Sequence, residues 1–127
     1  MNEFSNVEWL PVAVGTVVSF LVGWAWYSAK LFGKKWAEGS GVKLGSAQQM
    51  PVFAMVAQLI ALALLALVIG LTATINALFT AILAILSVAV FVASMGGFIK
   101  KSAAAITIDF FYIIVSGIVM IACQAIF

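Results

Sequence analysis

Histidine and arginine are both missing from these 127 residues. Without histidine the chain lacks the usual haem or metal ligand and the commonest general base. Without arginine it has no bidentate grip on phosphate or carboxylate. All six cations are lysines, none deep inside an apolar run, which argues against a retinal-type Schiff base. The single cysteine, Cys123, excludes an internal disulfide. Charge itself is scarce, at 8% of residues against 66% hydrophobic, whereas soluble domains are roughly a quarter charged. Such a chain cannot cover itself with a soluble surface and belongs in a bilayer. Its net charge of +2 comes from lysines beside apolar runs. That points to orientation and anionic headgroups, not to nucleic acid. No metal or cofactor is expected, and one membrane domain should take up the whole of 1–127.

What is present is apolar length. Four runs, about Val7–Leu31, Pro51–Ala73, Asn76–Ile99 and Ser102–Phe127, each reach the ~20 residues that cross a hydrocarbon core. Each should be a helix, because lipid cannot satisfy an open strand edge. The expected fold class is all-α, a polytopic antiparallel bundle of four transmembrane helices. Lys30, Lys34, Lys35 and Lys43 follow the first run, and Lys100 and Lys101 follow the third. With four spans those two loops share a side, and the positive-inside rule makes it the cytoplasmic one. Both termini are then outside. A cleaved leader is the rival reading of the first run, but it would want a basic start and small residues at the cut. Here the start carries Glu3 and Glu8 and the run ends in Trp-Ala-Trp-Tyr, so the segment is expected to stay.

Residues 33–50 are polar and glycine-rich (Gly39, Gly41, Gly45) and read as a cytoplasmic loop, with Lys34-Lys35-Trp36 as one interfacial turn. Pro51 suits the first turn of the second helix, where its missing donor costs little. The "LTATIN" hairpin (71–76) is short enough to make the second and third helices antiparallel neighbours.

The stretch "GWAWYSAKLFGKKW" (23–36) mixes several signals. Gly15, Ser19 and Gly23 recur every four residues and form a small-residue stripe, which suits close packing in lipid. Tyr27 extends that stripe toward the cytoplasm. Trp26 lies ~100° around the helix from Tyr27, and Trp24 ~60° away on the other flank. The collar should therefore split: Tyr27 points into the bundle, while Trp26, Phe32 and Trp36 act as interfacial anchors with Lys30, Lys34, Lys35, Lys100 and Lys101. Trp9 marks the opposite interface. Ala89, Ala93 and Gly97 form a second small stripe on helix three. Packing within the chain and a seam between copies are both open to these stripes.

Asp109 is the one acid or lysine deep inside an apolar run. It lies ~12 Å beyond Lys101, Gln58 lies ~10 Å past Pro51, and Ser94 ~9 Å before Lys100. Tyr112 is one turn from Asp109 on the same face, with Ser116 next. Side chains lean toward their helix's amino end, so Asp109 and Tyr27, on opposed helices, converge. A polar layer of Asp109, Tyr112, Tyr27, Gln58 and Ser94 is expected in the cytoplasmic half of the membrane. Two readings of Asp109 compete: a structural acid, protonated by burial and hydrogen-bonded to a tyrosine or glutamine, and a group that moves protons or cations. Cys123 reads as a packed small hydrophobe.

"WYSAKLFGKKW", from Trp26 to Trp36, resembles the signature of domain of unknown function 1761, a family of small bacterial membrane proteins. There a Trp-Tyr-Ser-Pro, Phe-Gly-Lys and Trp pattern closes the first helix. Ala29 stands where a proline is common, so no proline kink is imposed here. "IDFFYIIVSGIVM" (108–120) is similar to the family's last helix, and the resemblance covers nearly the whole chain. It implies a four-helix protein of the bacterial inner membrane and supplies no activity and no functional residues.

Two functions follow as expectations. The first is a non-enzymatic membrane protein, self-associating or accessory to a larger complex, whose partners are the lipid bilayer and a homo-oligomer or membrane assembly. The alternative is a small proton-coupled transporter or channel with Asp109 as the titrating group. Four-helix multidrug exporters match in size, but they carry an acid in their first helix and this chain does not. An enzyme is the weakest reading, because no nucleophile–base pair or metal cluster accompanies Asp109, Tyr112 and Tyr27.

Overall fold

The computed structural model describes residues 3–42 and 52–127. Its helices are α1 (Trp9–Trp26), α2 (Gly33–Ser40), α3 (Val52–Thr74), α4 (Leu78–Phe98) and α5 (Ala103–Ile126). The described residues contain no strand. α1, α3, α4 and α5 are long and apolar enough to cross a membrane.

Two expectations need correction. The first span does not run to Leu31 but stops at Trp26. The last carbonyls of α1 find partners in a turn instead: Ser28 Oγ donates to Ala25 O at 2.7 Å, and Phe32 N–H donates to Trp26 O at 3.1 Å. A helix end satisfied in this way has no need to continue. The 18 residues of α1 still cover about 27 Å. The second correction concerns the segment that begins at residue 33. Its first eight residues are a helix, not a loop. Gly33 permits the turn, since a Cβ there would overlap the carbonyl oxygen of Tyr27. The helix ends on Gly41 at φ 72°, with Val42 N–H returning to Ala37 O at 3.0 Å, a closure that favours glycine. Lys43, Gly45 and Pro51 lie outside the described residues.

The two remaining connections are short. Asn76 takes a left-handed conformation (φ 54°) between α3 and α4, and Lys100 does the same (φ 60°) between α4 and α5. Ser102 then caps α5, its Oγ accepting from Ala105 N–H at 3.1 Å, which satisfies one of the donors a helix start leaves open.

α5 touches all four other helices, and α3 also packs on α1 and α4. The α1–α5 contact is made by the small stripe. A Cβ on Gly15 would meet Met120 at 3.4 Å, and one on Gly23 would meet Tyr112 Oη at 2.6 Å. Between them Ser19 Oγ donates to Ser116 O at 3.4 Å. Each four-residue step up α1 is matched by a four-residue step down α5. The stripe therefore packs within the chain.

The α4 stripe is only partly as expected. Ala89 is fully buried and Ala93 half-buried, but Gly97 is exposed, with nothing within 4 Å of a Cβ built on it. The buried seam runs Ala81, Ile85, Ala89, Gly96. Four-residue spacing drifts ~40° per step, so Gly97 has rotated off the face while Gly96, seven residues past Ala89, has drifted only ~20°. The apolar core, including Leu65, Ile69, Ala81 and Met120, gathers toward the α3–α4 hairpin. Cys123 is buried and free. The polar residues concentrate at the other end, around the start of α5.

Candidate functional site

Asp109 is buried in the second turn of α5, and both of its carboxylate oxygens are engaged. Oδ2 accepts from Lys101 Nζ at 2.8 Å. Oδ1 accepts from the Tyr27 hydroxyl at 2.6 Å. The geometry follows from local structure. Asp109 leans toward the amino end of α5, and Lys101, just before that end, lays its stem back along the helix so that its amine meets the carboxylate. Tyr27 is the first residue past α1, and its ring enters from the facing side.

Trp36 closes this pair from the side of α2. Lys101 Nζ sits 5.4 Å from the Trp36 ring centroid, within cation–π range. The Trp36 and Tyr27 rings meet edge-on at 5.2 Å. One step deeper, Tyr112 donates to Ser19 O at 2.9 Å and accepts from Gln58 Nε2 at 3.1 Å. The Tyr27 and Tyr112 rings touch edge-on at 5.5 Å. The layer is thus two hydrogen-bonded groups, Lys101–Asp109–Tyr27 and Gln58–Tyr112–Ser19, joined by a ring contact.

Tyr27, Asp109, Tyr112 and Gln58 are brought together, and Ser94 is not. Ser94 is exposed and lines a shallow groove of about 490 Å³ on α4 with Leu83, Leu86, Ser87, Val90 and Phe91. Its depth suits the layer but its face does not, because it lies ~160° around α4 from the buried Gly96. The tryptophans also differ from expectation. Trp26 turns inward: its Nε1 donates to Ile108 O at 3.0 Å, and its ring packs on Phe32 at 4.7 Å. Trp36 covers Lys101 and Tyr27. Trp9 and Trp24 are the exposed ones, at 54% and 62%. Lys30, Lys34, Lys35 and Lys100 are exposed as well, whereas Lys101 is half-buried.

Sequence reasoning missed Lys101 as the partner of Asp109. The signal was available: a lysine just ahead of a helix start, with an acid in the second turn of that helix, within reach of a long side chain laid along it. Reading every lysine as an anchor hid it.

Chemically, the arrangement is a neutralised, hydrogen-bonded clamp between the end of α1 and the start of α5. A family model described as "Protein of unknown function (DUF1761)" matches residues 10–124. Neither a curated protein nor a solved structure matches the chain.

Proposed function

The chain belongs to the DUF1761 family, and from that premise we propose that it is a non-enzymatic integral protein of a bacterial inner membrane. Its four long helices form an antiparallel bundle with both termini on the periplasmic side and the lysine-bearing connections in the cytoplasm. It works by association, with further copies of itself or as an accessory chain of a larger membrane complex. The polar layer around Asp109 holds the bundle together.

One observation carries this reading: Asp109 has one oxygen on the Lys101 amine and the other on the Tyr27 hydroxyl. A carboxylate that relays protons must exchange them with water or substrate, and this one is committed to two partners inside the protein. An intramembrane acid is otherwise expensive, and pairing is the usual remedy. Large apolar side chains, among them Phe53, Phe79, Phe91 and Phe98, stay exposed on α3 and α4, which suits lipid and neighbouring helices.

Two measurements test the reading. Proteoliposomes given a pH gradient should show no proton flux that depends on Asp109. Flux lost in Asp109→Asn would establish the transport reading in its place. Native mass spectrometry of gently extracted membranes should find the chain in species larger than the monomer, and a chain that is monomeric throughout would remove association.

A further inference from the structure

α2 is the one described helix that is too short to cross a membrane. It is tied to α1 by the turn over residues 27–32, and it lies against the start of α5. Ser102 N–H donates to Gly39 O at 2.9 Å. A Cβ on Gly39 would overlap Ser102 Oγ and come within 2.7 Å of Ala105 Cβ. The seat is close enough that only glycine fits. Trp36, on the same helix, covers Lys101 and Tyr27.

This seat has a defect. Three buried side-chain polar atoms lack a hydrogen-bond partner among the described residues, and two of them, Trp36 Nε1 and Ser40 Oγ, belong to α2. Folded proteins pair the great majority of such atoms, and an unpaired buried donor carries its full desolvation cost. Two on an eight-residue helix weaken its docking. The opposite face of α2 presents Lys34 and Lys35 with Glu38 between them, so it is positive by one charge. An indole N–H and two ammonium groups are what the headgroup region of an anionic bilayer satisfies.

We propose that α2 is a releasable strap, which docks on α5 over the Lys101–Asp109 pair and exchanges that seat for the surface of an anionic bilayer. On release Trp36 leaves Lys101 and Tyr27, its N–H meets headgroup oxygens, and water reaches the ion pair from the cytoplasmic side. Lipid charge thereby sets how far the polar layer is covered. This goes beyond the association proposed above and does not depend on it.

The test uses the full chain with Cys123→Ala and spin labels on cysteines at Val42→Cys and Thr107→Cys, both exposed positions that leave the charge of α2 unchanged. Distances are read by pulsed electron paramagnetic resonance in vesicles of phosphatidylcholine, alone and with a third of phosphatidylglycerol. A short separation should dominate in the neutral vesicles. A longer one should grow several-fold with the anionic lipid and shrink again in high salt, where the attraction is screened. Trp36→Phe and Ser40→Ala, which delete the unpaired atoms while keeping an aromatic ring at the first position and a small side chain at the second, should restore the short separation. Gly39→Val should show the long separation in both vesicles, because its side chain cannot share space with Ser102 and Ala105. One short separation in both lipids beside a long one in Gly39→Val overturns the lipid trigger. So does release that ignores lipid charge. More release in Trp36→Phe overturns the role given to the unpaired N–H, and a short separation in Gly39→Val overturns the docking itself.

Discussion

The Tyr27 hydroxyl and Asp109 Oδ1 lie 2.6 Å apart, across 82 positions of sequence. The bond joins the residue where α1 ends to the second turn of α5, and Lys101 takes the other carboxylate oxygen. The break in α1, the fold of α2 and the satisfaction of Asp109 therefore depend on one another. If α1 continued as a helix through Leu31, the turn that seats α2 could not form and Trp36 would not reach Tyr27.

Tyr27→Phe removes the hydroxyl and keeps both ring contacts. It should lower stability by about 1–2 kcal/mol, the range for a hydrogen bond to a charged group tempered by the weaker values seen inside membranes. Reversible unfolding in mixed micelles measures the loss. An unchanged midpoint would mean that Lys101 alone satisfies Asp109.

The glycines should rank by what a methyl group meets. Among Gly23, Gly96, Gly15 and Gly97, Gly23→Ala places its Cβ 2.6 Å from Tyr112 Oη and should be the most damaging, since the hydroxyl it displaces is held by Ser19 and Gln58. Gly96→Ala approaches Ile106 at 3.1 Å and Gly15→Ala approaches Met120 at 3.4 Å, so both should be milder. Gly97→Ala meets nothing and should stabilise by up to about 1 kcal/mol through helix propensity. The same unfolding assay orders the four, and Gly97→Ala falling below Gly23→Ala would reverse the packing.

Ser94→Leu should stay within about 0.5 kcal/mol of the parent, because the residue is exposed and makes no bond to the layer. Gln58→Leu, by contrast, deprives the Tyr112 hydroxyl of a donor and should cost about 1 kcal/mol. Measured side by side, the pair separates membership of the layer from depth alone.

Much of this was legible from residue type and spacing. The four apolar spans follow from run length, the close packing of α1 from Gly15, Ser19 and Gly23, though not its partner, and the meeting of Tyr27 with Asp109 from opposed side-chain leans. What the sequence hid depends on angle and on short-range competition. A four-residue repeat points to Gly97, but it drifts around the helix and Gly96 takes the buried place. Ser94 was placed by depth without its face. The end of α1 is set by hydrogen bonds in a turn, which hydropathy does not register, so from polarity alone α2 reads as loop. Lys101 was missed because a lysine at a membrane edge has an obvious second use.

Orientation is tested by a cysteine added after Phe127 in a Cys123→Ala background. An impermeant maleimide should label it in intact spheroplasts, with both lysine connections inside. Labelling only after the membrane is broken would reverse the topology.

The central claim is that Lys101 is what makes a buried Asp109 tolerable, and a double-mutant cycle of Lys101→Met and Asp109→Asn measures it most directly. Lys101→Met alone leaves a buried carboxylate without its cation and should cost about 3 kcal/mol. Asp109→Asn alone should cost less, about 1 kcal/mol, because the freed lysine can extend to the interface and the amide oxygen still accepts from Tyr27. In the Asp109→Asn background the further change Lys101→Met should then be nearly neutral. A Lys101→Met cost that is equal in the two backgrounds would contradict the account.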